Sequence, residues 1–410
     1  MRVLFIHQNF PGQFVHLAQA LGRNRDHEIL AITDCANTRP ELVRTLRYRY
    51  SPEVAGRPHR LALNFADRVA RGAVVARTLD EVRESGFTPD VVIGHVGWGE
   101  TLFVKDVWPE TKLIVHAEYF YAADGGDAGF DPEFQGNRTL EDRLAIKSKN
   151  AAILLALNDA DYGVAPTRWQ GSRFPKSLQG KIAILHEGIE TDLVRPNAAA
   201  RFVVKGGGLT LTAEDEVITF VNRNLEPYRG YHIFMRALPD ILAARPRAHA
   251  VIVGGDEVSY GAAAPAGQTW KQIFLDEVKH RLPMERVHFV GKVPYLEFIA
   301  LMQIASAHVY LTYPFVLSWS MLEAMSAGAL VIASRTPPVE EVIEDGKTGL
   351  LFEFFDVSEL AGRVISALES PQDFAGIRRQ ARRSITERYD LKQRWLPRWL
   401  RFIETVARPG

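Results

Sequence analysis

The sequence predicts an α/β protein of two domains, each built on a parallel β-sheet. Short apolar runs alternate with longer amphipathic runs along the whole chain, which is the pattern of successive strand and helix units whose strands are covered on both faces. The chain of 410 residues also exceeds a typical single domain of about 100 to 200 residues. Two separate cores are therefore expected.

The composition excludes several classes of protein. Basic and acidic residues balance at 49 each, so no net charge attracts nucleic acid. Cys35 is the single cysteine, which excludes an internal disulfide and a cysteine-built metal site. The opening run MRVLFIHQNF is too short for a secretion signal, and no segment has the roughly 18 apolar residues of a membrane span. We expect a cytoplasmic protein that binds no nucleic acid.

Histidines follow several predicted strands of the first half. The apolar runs predicted as strands are 2–6, 28–32, 91–94, 112–115, 162–165 and 182–185. Four of them lead into a histidine, namely His7, His95, His116 and His186. Ligands of open parallel sheets bind outside the carboxyl ends of the strands, so these histidines are predicted to face a ligand. A polar residue that merely closes an apolar strand is the structural alternative.

Two loops of the first half carry further candidates. Gly12 lies in the loop QNFPGQF after the first strand, where it permits either close approach to a ligand or only a tight turn. Residues 117–134 lack any period and are predicted to form a long loop. Its side chains Glu118, Tyr119 and Tyr121, with His95 nearby, suit a sugar acceptor, and surface decoration is the alternative.

An Asp-x-Asp triplet, Asp159 to Asp161, follows a helical run in the same half. Such triplets bind a metal and a nucleotide sugar in one class of glycosyltransferases, but an acidic pair at a helix end is common. The structural interpretation is favoured, and no metal is expected.

The run 312–352 holds the densest pattern of the chain. A predicted strand at 307–311 is followed by Ser318 and Ser320. Serine commonly caps the start of a helix, so a helix is predicted to begin there. Unpaired N–H groups and the dipole at a helix start attract anions, so a phosphate is expected there. Glu323 lies one turn into the helix, where a carboxylate could accept ribose hydroxyls. An acidic residue near an ordinary helix start is the alternative.

Three segments of this run, SMLEAMSAG, ALVIAS and PPVEEVIEDGKTGLLF, resemble the donor-site signature of the retaining family 4 (group 1) glycosyltransferases. That resemblance implies the GT-B fold, in which two Rossmann-like domains have parallel sheets facing a central cleft. The family pattern has a glutamate eight positions before a second one. Glu323 matches the second, and Phe315 stands in place of the first. A glutamate introduced at 315 is expected to find no prepared partner.

The resemblance assigns catalytic roles to His116, Arg223, Arg229 and Glu323. His116 would contact the donor sugar, and Glu323 would hold the ribose. The two arginines match basic positions after the strand 217–221 and would bind the diphosphate, with ordinary surface arginines as the alternative. The resemblance also implies a donor-binding set of Gly12, Gly254, Gly255, Gly291, Lys292, Val293, Ser318, Trp319, Ser320, Met321 and Leu322.

The predicted domains are 1–200 on the acceptor side and 201–388 for the nucleotide sugar. Residues 389–410 are predicted to form a helix that crosses back to the first domain. An Ala- and Gly-rich stretch at 198–208 marks the connection. The C-terminal helix is basic and rich in tryptophan, so peripheral contact with the inner face of a membrane is the alternative to crossing back.

The predicted activity is transfer of a sugar from a nucleoside diphosphate sugar to a hydroxyl, with retention at the anomeric carbon. The acceptor would be a glycan, a lipid-linked molecule or a small molecule, as in polysaccharide or glycoconjugate biosynthesis. Such a hexosyltransferase needs no metal or other cofactor. The alternatives are a nucleotide-sugar epimerase, a phosphorylase, or a catalytically silent sugar-binding homologue.

Overall fold

The computed structural model describes residues 1–52, 58–135, 139–204 and 208–408. These residues form two compact units. Unit 1 comprises Met1–Gly188 with Leu391–Gly410, and unit 2 comprises Ile189–Asp390. The chain thus leaves unit 1 after Gly188 rather than near residue 200. Residues 205–207 of the predicted connection, and 409–410 of the predicted C-terminal helix, lie outside the described part.

Unit 1 is built on a parallel sheet of seven strands in the order β3-β2-β1-β4-β5-β6-β7. The strands are β1 Arg2–Ile6, β2 Glu28–Asp34, β3 Arg44–Tyr48, β4 Val91–His95, β5 Lys112–His116, β6 Tyr162–Ala165 and β7 Ile182–Ile184. The central strands are apolar because helices cover both faces. β3 is missing from the prediction, since this edge strand, RTLRY, is largely polar and partly exposed.

The helices of unit 1 connect these strands or pack on the sheet. They are α1 Val15–Arg23, α2 Leu63–Glu84, α3 Val104–Val107, α4 Pro132–Gln135, α5 Leu140–Lys149, α6 Ala151–Asp159, α7 Arg168–Ser172 and α8 Lys176–Gln179. α1 buries Leu17 and Leu21, which stand four residues apart on one face. The loop 117–134 is irregular until α4 begins.

Unit 2 contains a second parallel sheet and a small antiparallel pair. The pair is β8 Arg201–Val203 with β9 Thr210–Thr212. The parallel strands are β10 Val217–Asn224, β11 His249–Gly255, β12 Val287–Gly291, β13 Ala307–Tyr310, β14 Val331–Ser334 and β15 Leu350–Phe352, in the order β12-β11-β10-β13-β14-β15. Both units therefore have the predicted Rossmann-like α/β architecture.

Seven α-helices are described in unit 2. They are α9 Tyr231–Ala244, α10 Trp270–Val278, α11 Tyr295–Ile304, α12 Trp319–Ala327, α13 Pro337–Glu340, α14 Val357–Glu369 and α15 Ala375–Arg388. α12 begins after the N-cap Ser318 and is followed by the C-cap Gly328, whose φ of 91° suits only glycine without strain.

The C-terminal segment returns to unit 1. A π-helical turn, Leu391–Trp395, leads into α16 Leu396–Ala407. Trp399, Ile403 and Val406 are spaced on one face of α16 and lie in the same buried cluster as β1 and α1 side chains. The apolar face of α16 is thus covered by its own unit. In the described ranges, no helix is both long and apolar enough to cross a membrane.

Candidate functional site

Polar side chains gather at the carboxyl ends of strands in each unit. The strand order reverses between β10 and β13 in unit 2, and between β1 and β4 in unit 1. Ligands of open α/β sheets bind where the order reverses. The side chains at these two points are therefore the candidate site residues.

The cluster of unit 2 centres on Arg229. This residue follows β10, and only 5% of it is exposed. Its Nη1 donates to Thr312 Oγ1 at 2.7 Å and to the Val316 carbonyl oxygen at 2.9 Å. Within the described residues no carboxylate pairs with Arg229. A buried positive charge is therefore left for an anion.

The chain beside Arg229 leads directly into the start of α12. Val316, whose carbonyl oxygen accepts from Arg229, is separated from the N-cap Ser318 by a single residue, Leu317. Ser318 Oγ accepts from the N–H of Ser320 at 3.3 Å, and the Ser318 N–H donates to the Tyr310 hydroxyl at 2.9 Å. The other N–H groups of the first turn have no partner within the helix. The positive end of α12 and Arg229 thus favour negative charge in one region.

Glu323 lies further along α12 and is only 6% exposed. The hydroxyl of Tyr295, the first residue of α11, donates to Glu323 Oε1 at 2.6 Å. Burial raises the pKa of Glu323 to about 7, while the Tyr295 hydrogen bond opposes the rise and Glu190 adds to it. This carboxyl group therefore changes its charge close to neutral pH.

Phe315 belongs to an aromatic cluster around Arg229. Its ring centroid lies 5.1 Å from that of Tyr228 and 5.2 Å from that of Tyr260, both edge-on. The guanidinium carbon of Arg229 lies 5.9 Å from the Phe315 ring centroid. The Arg229 guanidinium is thus the charged group nearest to hand for a glutamate at position 315, and whether it would act as a partner stays a prediction.

Arg223 differs sharply from Arg229 in its surroundings. It is exposed near the end of β10, and its side chain makes no hydrogen bond or ion pair with the rest of the described chain. The signal that singled out both arginines, a basic residue after a strand, does not distinguish a buried guanidinium from an exposed one.

The predicted glycines lie at the ends of β11 and β12. A Cβ on Gly255 would lie 2.6 Å from Asn224 Oδ1 and 2.8 Å from Lys292 Cε. Because Asn224 ends β10, Gly255 ends β11 and Lys292 follows β12, the carboxyl ends of these three strands lie close together. A Cβ on Gly254 would meet Leu225 at 2.7 Å. Gly291 has a φ of 65° with open space where a Cβ would be, which leaves its backbone accessible.

The remaining predicted donor residues are divided between surface and core. Lys292 is exposed and pairs with Glu257 at 3.1 Å. Val293 and Trp319 pack partly against the core of unit 2. Met321 and Leu322 are fully buried and belong to the core of unit 2.

Three of the four predicted histidines meet in unit 1. His7, His95 and His116 follow or end the neighbouring strands β1, β4 and β5. The ring centroid of His95 lies 5.8 Å from that of His7 and 5.3 Å from that of His116. His186 follows β7 at the edge of the sheet, where its ring lies 6.0 Å from Trp395. His186 is thus outside the cluster.

Backbone hydrogen bonds fix the protonated nitrogen of two of these rings. The N–H of Asn9 donates to His7 Nδ1, and that of Gly97 donates to His95 Nδ1, both at 2.9 Å. A neutral imidazole whose Nδ1 accepts carries its proton on Nε2. Burial, helped by the neighbouring imidazoles, lowers the pKa of His7 and His116 to about 3. The rings of His7 and His116 are therefore neutral, and His7 presents its Nε2–H as a donor.

Carboxylates lie beside two of the histidines. Glu118 Oε2 is 3.5 Å from His95 Nε2, and Glu187 Oε1 is 3.7 Å from His116 Nε2. Burial would raise the pKa of Glu118, but the hydrogen bond from His95 and the nearby imidazoles lower it to about 2. Glu118 is therefore ionised and accepts from His95.

By distance alone, His95, His116 and Glu118 could hold a metal ion, since their ligand atoms lie within 4.8 Å of one another. A metal-bound histidine donates a hydrogen bond through its other nitrogen. Nδ1 of His95 instead accepts one from Gly97. Its Nε2 therefore carries the proton and offers no lone pair to a metal.

The other candidates of unit 1 have mainly structural surroundings. A Cβ on Gly12 would lie 3.0 Å from His7 Cε1, so the Gly12 backbone rests on that ring. Tyr119 is buried and donates to Asp127 Oδ1 at 2.9 Å, and the Tyr121 ring lies 5.2 Å from that of Tyr119. Asp161 of the acidic triplet pairs with Lys105 at 2.8 Å.

Comparison with known proteins identifies the family. Residues 25–194 match the family described as "Glycosyl transferase family 4 group", and residues 209–384 match "Glycosyl transferases group 1". The chain belongs to the family 4 (group 1) glycosyltransferases. These two matches include most of both units.

Several curated proteins are related to this glycosyltransferase over part of their length. The D-inositol 3-phosphate glycosyltransferase of Streptomyces avermitilis is 27% identical over 71% of this chain and 59% of the relative. The glycogen synthase of Mycobacterium tuberculosis is 27% identical over 42% of this chain and 39% of the relative. The chain thus spans less than two thirds of the length of these relatives.

Solved structures share the fold along nearly the whole chain. Anabaena HepE in complex with UDP and glucose has a TM-score of 0.67 and 18% identity, and covers 99% of this chain and 100% of its own. Sucrose-phosphate synthase from Thermosynechococcus elongatus has a TM-score of 0.71 and 15% identity, and covers 99% of both chains. The fold of this glycosyltransferase is GT-B.

Sequence reasoning missed the contact between Tyr295 and Glu323. Tyr295 follows the segment GKVP, so its position after a strand was a local signal. Its partner lies 28 residues further along the chain, and no local pattern predicts that hydrogen bond.

Proposed function

We propose that this glycosyltransferase moves a sugar from a nucleoside diphosphate sugar to an acceptor hydroxyl. The observation that carries the proposal is the buried guanidinium of Arg229, which has no carboxylate partner among the described residues and lies beside the start of α12. Two sources of positive charge on one region suit a diphosphate. Anabaena HepE was solved with UDP and with UDP-glucose, which supports a nucleotide sugar as donor.

In the proposed reaction, the bond between the anomeric carbon and the diphosphate breaks, and the leaving diphosphate gains negative charge. Arg229 and the α12 N–H groups would stabilise that charge in a partly buried region, where such interactions are strong. Arg223 is exposed and unpaired, so it can reach the diphosphate without losing an existing contact. Transfer with retention at the anomeric carbon is part of the proposal, and the family resemblance supports it.

Glu323 would accept the ribose hydroxyls of the nucleotide. A carboxylate accepts hydrogen bonds at about four positions, and the hydroxyl of Tyr295 takes one of them. The accessible backbone around Gly291 would border the base. This assignment places ribose recognition near the diphosphate region, on the same helix.

The histidine cluster of unit 1 would bind sugar hydroxyls. His7 and His95 carry Nε2–H donors, and Glu118 is an ionised acceptor, so the group matches hydroxyls that both donate and accept. We assign His116 to the donor sugar, and His95 with Glu118 to the acceptor side. The proposal includes no metal, because the protonated Nε2 of His95 does not suit one.

The test begins with calorimetry of the whole protein with UDP, ADP and GDP, followed by incubation with the matching nucleotide sugars. Release of nucleoside diphosphate that depends on an added acceptor supports transfer. Conversion of the donor without an acceptor would indicate an epimerase, and dependence on inorganic phosphate a phosphorylase. Tight nucleotide binding without turnover would indicate a silent homologue. NMR of the product's anomeric proton decides between retention and inversion.

A further inference from the structure

Tyr295 links the β12–α11 loop to the buried carboxyl group of Glu323. Its hydroxyl lies 2.6 Å from Glu323 Oε1. Its ring stacks on Phe298, with centroids 6.0 Å apart and an interplanar angle of 20°. Tyr295 is 46% exposed, whereas Glu323 is 6% exposed. A ring at the surface of unit 2 thus reaches a side chain that has little contact with solvent.

The surroundings of Glu323 otherwise favour its protonated form. Burial disfavours a carboxylate, and Glu190 adds a second negative charge. Among the described residues, Tyr295 is the hydrogen-bond donor to this carboxyl group. Once protonated, the group would lose part of its capacity to accept hydroxyls.

Basic groups on the neighbouring helix are used elsewhere. α15 packs against α12, and its Arg378 donates to the Ser306 carbonyl oxygen at 2.6 Å. Arg382, also on α15, donates to the Val194 carbonyl oxygen at 2.8 Å. Neither guanidinium bonds Glu323. The phenol of Tyr295 is therefore the group placed to stabilise its negative charge.

We propose that Tyr295 is a positioning residue of the donor site, whose hydroxyl keeps the Glu323 carboxylate ionised and in place to accept ribose hydroxyls. This inference rests on the proposed function and deepens it. Tyr295 acts through Glu323 and does not need to touch the reacting atoms. Its ring packing and its hydroxyl can be separated, because Tyr295→Phe keeps the first and removes the second.

The first experiment needs no nucleotide. In protein labelled with ¹³C at the glutamate carboxyl carbons, the signal of Glu323 is assigned by its loss in Glu323→Gln and followed from pH 4 to pH 9. We expect Tyr295→Phe to move its titration midpoint to higher pH. Glu190→Gln, which removes the neighbouring negative charge, should move the midpoint to lower pH. An unchanged midpoint in Tyr295→Phe would overturn the proposal.

The second experiment measures UDP binding by calorimetry between pH 6 and pH 9. Tyr295→Phe should bind UDP roughly tenfold more weakly at pH 7, the loss expected for one hydrogen bond to a charged group, and should approach the parent at pH 9. Glu323→Gln, measured alongside, corrects for titration of the nucleotide phosphate. A loss of equal size at every pH would show a merely structural role and overturn the proposal. If UDP, ADP and GDP all fail to bind the parent, the proposed function fails, while the carboxyl titration still decides what Tyr295 does.

Discussion

The two units place their clusters at the same topological point but build them from opposite chemistry. In unit 1, three imidazoles lie at the ends of β1, β4 and β5, and main-chain N–H groups hold two of them, those of His7 and His95. In unit 2, a buried guanidinium and a buried carboxyl group lie near β10 and the start of α12. The comparison teaches that the fold determines the position of a binding site, whereas the side chains determine the chemical class of the ligand. Neutral donors suit sugar hydroxyls, and charged groups suit a diphosphate and a ribose.

Acid should have the largest effect of the changes considered, a loss of folding stability, because it favours protonation of the buried imidazoles. His7, His116 and His186 have pKa values of about 3 in the folded protein against an ordinary 6.5. The unfolded chain therefore binds more protons below pH 6.5, and stability falls as the pH drops. At pH 5 the loss is about 2 kcal/mol for each ring. Urea unfolding at pH 7 and pH 5, with hydrogen exchange read at β1, β4 and β5, measures it.

A control for the acid effect is His186→Asn, whose amide oxygen can still accept the Gly188 N–H that His186 Nδ1 accepts at 2.9 Å. This variant should lose about 2 kcal/mol less between pH 7 and pH 5. Equal stability of the parent at both pH values would contradict the burial of neutral imidazoles.

Glu323→Gln should have effects of opposite sign on stability and binding. The pKa of Glu323 is raised from 4.5 to about 7 in the folded protein, so stability falls as the pH rises from about 4.5 to about 7 and stays lower above that range. Glutamine removes this cost, and unit 2 should gain up to about 3 kcal/mol at pH 8. UDP binding at pH 8 should nevertheless weaken roughly tenfold, since one strong acceptor is lost. Normal UDP binding by the variant would show that Glu323 does not bind the ribose.

The two arginines form a matched pair. Arg229→Ala leaves Thr312 Oγ1 and the Val316 carbonyl oxygen without their donor and should cost about 2 kcal/mol of stability. Arg223→Ala removes an exposed side chain and should change stability by about 0.5 kcal/mol or less. We expect Arg223→Ala to weaken UDP binding by about 1.5 to 3 kcal/mol and to leave uridine binding unchanged. Calorimetry with both ligands tests this, and equal losses would mean that Arg223 is structural.

Phe315→Glu tests whether charge or shape matters beside Arg229. The new carboxylate would lie near the guanidinium, whose carbon is 5.9 Å from the present ring centroid, and would neutralise it. UDP binding should weaken roughly tenfold, and donor turnover should fall. Phe315→Gln, similar in size but uncharged, should retain more UDP affinity. Faster turnover by Phe315→Glu would contradict the assigned position of the family's first glutamate.

Removal of divalent ions should have the smallest effect. The Nδ1 hydrogen bond of His95 keeps its Nε2 protonated, and Arg229 already supplies positive charge in unit 2. Turnover in EDTA should equal that of untreated protein. Activity that is lost in EDTA and restored by Mg²⁺ or Mn²⁺ would require a metal and would refute this proposal.

The features that follow from local pattern were predictable. Apolar runs gave the strands of both sheets, the serine before an apolar helix gave the start of α12, and the signature around Glu323 indicated the family. β3 was not predicted, because an edge strand with one exposed face lacks a continuous apolar run.

Environment was not predictable in the same way. Arg223 and Arg229 look alike in sequence, yet one is exposed and the other is enclosed by rings from positions 228, 260 and 315. The partner of Glu323 and the burial that raises its pKa depend on packing between distant segments. Such contacts have no sequence period, so they appear only once the fold is known.

The discontinuity of unit 1 has a consequence for its synthesis on the ribosome. Trp395, Trp399 and Ile403 complete the cluster that contains Phe14, and they follow all of unit 2 in the chain. All of unit 2 leaves the ribosome before them. Domains of nascent chains commonly fold from the N-terminus onward, but here the second unit is complete in sequence first. For that interval, the side of unit 1 that will receive α16 remains an uncovered apolar surface.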